Sequence, residues 1–179
     1  MVRKEIGTEL VSKSGDWEGF LAEFQDESDR ATAILGGVFL DEHLRQLIAN
    51  ALAGEKGVVD ELLNGPLQNF ASRIKLAYCL RLISSSEYAD IQLIRDIRNS
   101  FAHRLHGLSF ENAGIKKQCK QFKTTSNVLA ILNPNPKGIP PRFRYIATVY
   151  MLSQRIAVQR MSAEATKKEH IARQVGKEK

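Results

Sequence analysis

Apolar residues recur at intervals of three and four along most of the chain, the spacing of helices that bury one face. Trp17, Phe20, Leu21 and Phe24 predict a short first helix with Asp16 as its N-cap. Residues 26–53 predict a long second helix whose apolar set is Ile34, Val38, Leu44, Leu47, Ile48 and Ala51. The Gly36-Gly37 pair inside it costs about 1 kcal/mol per glycine relative to alanine. It reads as a close helix approach or a kink in preference to a ligand contact. Gly54 and Gly57 end this helix, and residues 58–63 add one turn or two.

Gly65-Pro66 opens the next segment, with proline at a first-turn position where its missing N–H does no harm. Leu67, Phe70, Ile74, Ala77, Tyr78, Leu80 and Leu82 supply its apolar face. Ser84-Ser85-Ser86-Glu87 has the form of a capping box and starts a helix that runs to about Leu105, before Gly107. Two helices joined by so short a turn lie antiparallel, and this hairpin is expected at the centre of the core. Phe70, Ile74, Tyr78, Ile91, Ile94 and Phe101 are its expected buried residues. Residues 115–122 predict a further helix with Lys116, Lys120 and Lys123 on one side. Asn133-Pro134-Asn135-Pro136-Lys137-Gly138 is a loop. Pro140-Pro141 then launches a last helix carrying Tyr145, Val149, Leu152, Ile156 and Met161.

The fold class is therefore all-α, a bundle of five to seven helices. Residues 1–15 read as a flexible arm and 16–166 as one helical domain, divided into a core to residue 110 and a basic part, 111–166. Residues 167–179 read as a charged tail. Only five prolines and an ordinary apolar content agree with a globular helical protein. No stretch approaches the ~20 apolar residues of a membrane span, and M-V-R-K-E-I-G has no signal-peptide core. Cys79 and Cys119 lack metal or redox spacing and suit a reducing cytoplasm.

Charge is unevenly spread. Residues 1–110 hold twelve Lys/Arg against sixteen Asp/Glu, whereas 111–179 hold fourteen against four. Such a basic half attracts nucleic acid or an acidic protein partner, and Lys116, Lys117, Lys120 and Lys123 are its candidate contacts.

The most chemically loaded segment is residues 95–106, R-D-I-R-N-S-F-A-H-R-L-H. Arg98 carries a permanent charge and a fork of donors suited to phosphate oxygens. His103 titrates near neutrality. With Asn99 orienting either group, they compose a metal-independent RNA-cleaving set, His103 moving protons and Arg98 stabilising the phosphoryl oxygens. Against this, Arg98 and His103 stand about 140° apart on a straight helix, so both reach one phosphate only if the helix end unwinds or a second copy contributes. The competing reading is a polar seam: Arg98 and Asn99 tie helices together, and His103 and His106 complement the helix C-terminus. Asp41-Glu42-His43 reads as surface or as partners of Arg98 and Arg95. No phosphate-binding glycine loop, HExxH, nucleophile elbow or helix-turn-helix is present, and no metal or cofactor is expected.

Residues 33–48 (A-I-L-G-G-V-F-L-D-E-H-L-R-Q-L-I), 65–83 (G-P-L-Q-N-F-A-S-R-I-K-L-A-Y-C-L-R-L-I) and 91–103 (I-Q-L-I-R-D-I-R-N-S-F-A-H) resemble the mannitol operon repressor family of bacterial regulators. That resemblance implies an all-helical protein that takes part in transcriptional repression without a standard DNA-binding domain. The R-N-S-F-A-H segment also resembles the arginine-x4-6-histidine signature of the HEPN superfamily of helical nucleases. This second resemblance implies Arg98 and His103 as a catalytic pair, Asn99 as the polar residue beside the arginine, and a homodimer with both copies facing. A regulator of the repressor type is the primary expectation, and a metal-independent endoribonuclease the alternative.

Overall fold

Capping residues set most helix boundaries in the computed structural model, which describes residues 17–104, 106–125 and 138–175, with side chains through residue 168. Seven helices lie among the described residues: α1 (Trp17–Gln25), α2 (Asp29–Ala51), α3 (Lys56–Asn64), α4 (Phe70–Cys79), α5 (Ser85–His103), α6 (Ala113–Cys119) and α7 (Pro141–Val175). Residues 123–125 open one more helical turn. Asp16, the 1–15 arm, Leu105 and most of the Asn133–Gly138 loop lie outside the described residues.

Ser28 caps α2, its Oγ accepting the Ala31 N–H at 3.2 Å. Asn69 caps α4 in the same way, accepting from the Ser72 N–H at 2.8 Å. Gly65-Pro66 therefore belongs to the turn between α3 and α4, not to a helix start. The expected capping box forms: Ser84 Oγ accepts the Glu87 N–H at 3.3 Å while Glu87 Oε2 accepts the Ser84 N–H at 2.6 Å. Helix α4 ends in a Schellman turn, with Leu82 N–H on Ala77 O and Arg81 N–H on Tyr78 O, both at 2.9 Å. That turn needs a left-handed residue, and Arg81 takes it at φ 57°, where glycine is the unstrained choice.

The α4–α5 hairpin is present, and it packs on α2, whose broadest partner is α7. Because α2 is covered on several sides, its buried set is wider than the expected stripe. Leu44, Leu47 and Ile48 are buried as expected, but Ala33, Gly36, Gly37, Phe39, Leu40 and His43 join them, while Ile34, Val38 and Ala51 are half-buried.

In the hairpin, Ile74, Ile91, Ile94 and Phe101 are fully buried. Phe70 is half-buried, and Tyr78 is 43% exposed. The buried stripe of α4 runs through Ile74 and Ala77; Tyr78, one residue on, points away and rests on Tyr88 with ring centroids 4.5 Å apart. In α7, Tyr145, Val149, Leu152 and Ile156 are buried, whereas Met161 is 70% exposed. Five residues past Ile156 falls about 140° round the helix, so Met161 leaves the core face. The helix continues through Val175, into the segment expected to be a charged tail.

Two close approaches define the core. A Cβ on Gly36 would lie 2.7 Å from Tyr145 Cε1, and one on Gly37 would lie 2.8 Å from Arg98 Cγ. The glycines therefore let α7 and α5 close onto α2. Tyr145, fully buried, donates its hydroxyl to Ala33 O at 2.7 Å. Nearby, His43 is buried with its ring 4.5 Å from Phe39, and neither ring nitrogen has a hydrogen-bond partner among the described residues. Burial, aided by the Arg160 charge, lowers its pKa to about 4.

Two outcomes follow from this packing. Gly36→Ala should destabilise the chain by about 1–3 kcal/mol in urea melts, opposite in sign to the ordinary gain from glycine to alanine in a helix. Gly57→Ala, where nothing lies within 4 Å, is the control and should lose nothing. His43 is depressed below its unfolded value of 6.5, so its contribution is complete above that pH and is lost as pH falls toward about 4. Between about pH 7 and about pH 5 the native chain should therefore lose about 2 kcal/mol more than His43→Leu. Equal losses would show that the imidazole is solvated.

Candidate functional site

Arg98 of the 95–106 segment lies against α2, beside an Asp41–Arg73 pair that joins α2 to α4. Arg98 is half-buried, its stem lying against Gly37 and its Nη1 donating to Asn99 Oδ1 at 2.9 Å. The Asp41 carboxylate, one turn beyond Gly37 on α2, pairs with Arg73 of α4 at 2.7 Å. Arg73 also donates from Nη2 to Leu63 O at 3.4 Å, close to the end of α3. Burial, joined by the neighbouring Glu42 charge, raises the Asp41 pKa against the opposing pull of Arg73 and Arg98.

Asp41 is thus a seam residue, but its direct partner is Arg73 rather than Arg98. Arg95 pairs with its neighbour Asp96 at 2.8 Å, not with the α2 cluster. Glu42 accepts from Gln46 at 3.1 Å and stands 3.8 Å from Arg45. His43, expected at the surface or as a polar partner, is instead in the core.

His103 is the last residue of α5 and is exposed. Among the described residues it has no hydrogen bond or ion pair with Arg98 or Asn99. The structure joins Arg98 to Asn99 and leaves His103 apart, in keeping with their five-residue separation on a helix that stays regular to its end. The exit of α5 is held from α2, where Arg30 Nη2 donates to Arg104 O.

Sequence reasoning missed Arg73. Its signal was available: it sits between Phe70 and Ala77 on the apolar stripe of α4, as Arg98 sits between Ile94 and Phe101 on that of α5. A charged stem on a buried stripe must find a partner across the interface. Asp29 was missed as well. It receives Arg142 Nη1 at 2.8 Å and the Phe110 N–H at 2.9 Å, fastening α2 to α7 and to the segment before α6.

The basic part divides differently from expectation. Helix α6 ends at Cys119, so Lys123 belongs to the next turn. Buried Asp90 of α5 caps that turn, accepting the Lys123 N–H at 2.9 Å and the Thr124 N–H at 2.7 Å. Lys116 is tied to Glu111 at 2.5 Å, while Lys117, Lys120 and Lys123 are exposed. Among the described residues no three metal-ligating side chains cluster, and no helix is long and apolar enough to cross a membrane.

No curated protein sequence matches the chain. A chain of the X-ray structure of the MtlR–HPr complex from Escherichia coli shares its fold, with a TM-score of 0.59 and 16% identity, covering 85% of this chain and 98% of that one. The family described as mannitol repressor (MtlR) matches residues 30–141, from the start of α2 to the first residue of α7. Those residues contain Gly36, Gly37, the Asp41–Arg73 pair and the whole of α5, and on that match the chain belongs to the mannitol repressor family.

Proposed function

We propose that this chain regulates a mannitol operon by contact with another protein, without a standard DNA-binding domain. The observation that carries the reading is the reach of the family match, which spans α2 to α6 rather than a peripheral segment. The shared fold with a chain that was crystallised in a complex with HPr supports an HPr-type partner. Exposed Val158 and Met161 on α7, and Val58 and Leu62 on α3, supply apolar surface for a partner or a second copy. The reading includes a homodimer and a cytoplasmic location.

Polyanion binding by the basic part is a second reading, favoured by the exposure of Lys117, Lys120 and Lys123. The ribonuclease alternative needs Arg98, Asn99 and His103 to act on one phosphate. In this structure Arg98 is engaged by Asn99 and His103 stands apart.

Deleting the gene should raise mannitol-operon transcripts, and purified HPr should bind the chain in titration calorimetry. Unchanged transcripts together with no HPr binding would overturn the reading. In the same preparation, RNA incubated with EDTA should stay intact; cleavage that disappears in His103→Ala would put the nuclease in its place. Nucleic acid bound through the basic part should dissociate steeply as salt rises, and joint replacement of Lys117, Lys120 and Lys123 by glutamine should weaken all sequences alike.

A further inference from the structure

The end of the bundle away from Arg98 holds a cavity of about 500 Å³, bounded by the end of α2, the turn between α4 and α5, and the outer half of α7. Its size is in the range that holds a small metabolite. Two cations line it from separate elements, Arg81 from the Schellman turn and Lys167 from α7. Gln159, Ser162 and Thr166 add polar atoms along α7, while Ala51, Leu82 and Ala163 give an apolar wall. No carboxylate and no aromatic ring is among these lining residues.

Arg81 is the telling residue. It occupies a left-handed position that glycine fills without strain, and among the described residues nothing pairs with its guanidinium. An arginine at such a strained position points to a role for its side chain. Lys167 Nζ reaches Ala49 O at only 3.4 Å, a long bond that a better acceptor can displace. Gln159 has its Nε2 turned to Glu87 at 3.4 Å, and its Oε1 is buried without a donor among the described residues.

We propose that this cavity binds a small hydroxylated organic phosphate. Arg81 and Lys167 hold the phosphate, the arginine with its fork of donors and the lysine as a point charge. Ser162 and Thr166, both exposed on α7, take the hydroxyl groups. The absence of an aromatic ring from the lining speaks against a nucleotide base stacked there.

The test uses the full chain and a series of probes: glucose 6-phosphate, ribose 5-phosphate, inorganic phosphate and glucose, each titrated to about 10 mM while the melting temperature is read. Sugar phosphates should raise the melting temperature saturably, inorganic phosphate less, and glucose not at all. Arg81→Gly should weaken sugar-phosphate binding about tenfold or more, yet melt at or above the native temperature because glycine relieves the left-handed strain. Lys167→Gln, which keeps a donor for Ala49 O, should weaken binding similarly. No saturable shift with any probe overturns the proposal, as does unchanged binding in both variants. Inorganic phosphate binding as tightly as the sugar phosphates overturns the part assigned to the hydroxyl groups.

Discussion

The fold depends on two consecutive glycines. Gly36 and Gly37 lie in the middle of α2, and adjacent positions on a helix point about 100° apart, so one admits Tyr145 from α7 and the other the stem of Arg98 from α5. An alanine at either place would put a methyl group inside van der Waals contact with these side chains. Helix propensity argues against glycine here by about 1 kcal/mol each, and the close approach of two partner helices outweighs it. Tyr145 then brings its hydroxyl to Ala33 O, so the same contact that closes the apolar core also satisfies the largest buried polar tip.

Charged side chains do much of the remaining long-range fastening, and several of them act on backbone groups. Arg142 donates to the Phe24 and Glu27 carbonyls as well as to Asp29, holding the α1–α2 corner against the start of α7. Asp90 takes the free N–H groups of residues 123 and 124, so the start of the segment after α6 is fixed from within α5. A carboxylate accepting several N–H donors is well compensated for its burial. Asp41 differs because its compensation comes chiefly from one arginine. Removing Arg73 would leave a half-buried carboxyl without its direct partner, whereas replacing both by apolar groups need not cost stability.

Where the sequence was legible, one strong local signal stood alone. Ser84 and Glu87 located the start of α5, the three- and four-residue spacing placed Ile91, Ile94 and Phe101 inside, and the Gly36-Gly37 pair announced a close approach. Helix α2 was read too narrowly because helices pack on several of its faces, which blurs the apolar stripe that a surface helix shows. That is also why His43 passed for a surface residue: its neighbours Asp41 and Glu42 are polar, yet position 43 faces Phe39 and the core. The αL position of Arg81 left no trace in composition, since a Schellman turn is ordinarily found by its glycine and this one has none. The Asp41–Arg73 pairing joins residues 32 apart in sequence, and no local rule selects Arg73 over Arg98 as the partner.

Arg98 combines a packing role with its charge. Its aliphatic stem fills the space that Gly37 vacates, and its head is partnered by the next residue, Asn99, while its charge helps to keep Asp41 ionised against burial. Each of these uses fixes the guanidinium relative to α2. Acting on a phosphate alongside His103 would require the end of α5 to unwind or a second copy to contribute, and within this chain α5 stays helical through His103. Arg81, outside the seam and unpaired among the described residues, keeps its guanidinium available to a ligand in a way that Arg98 does not.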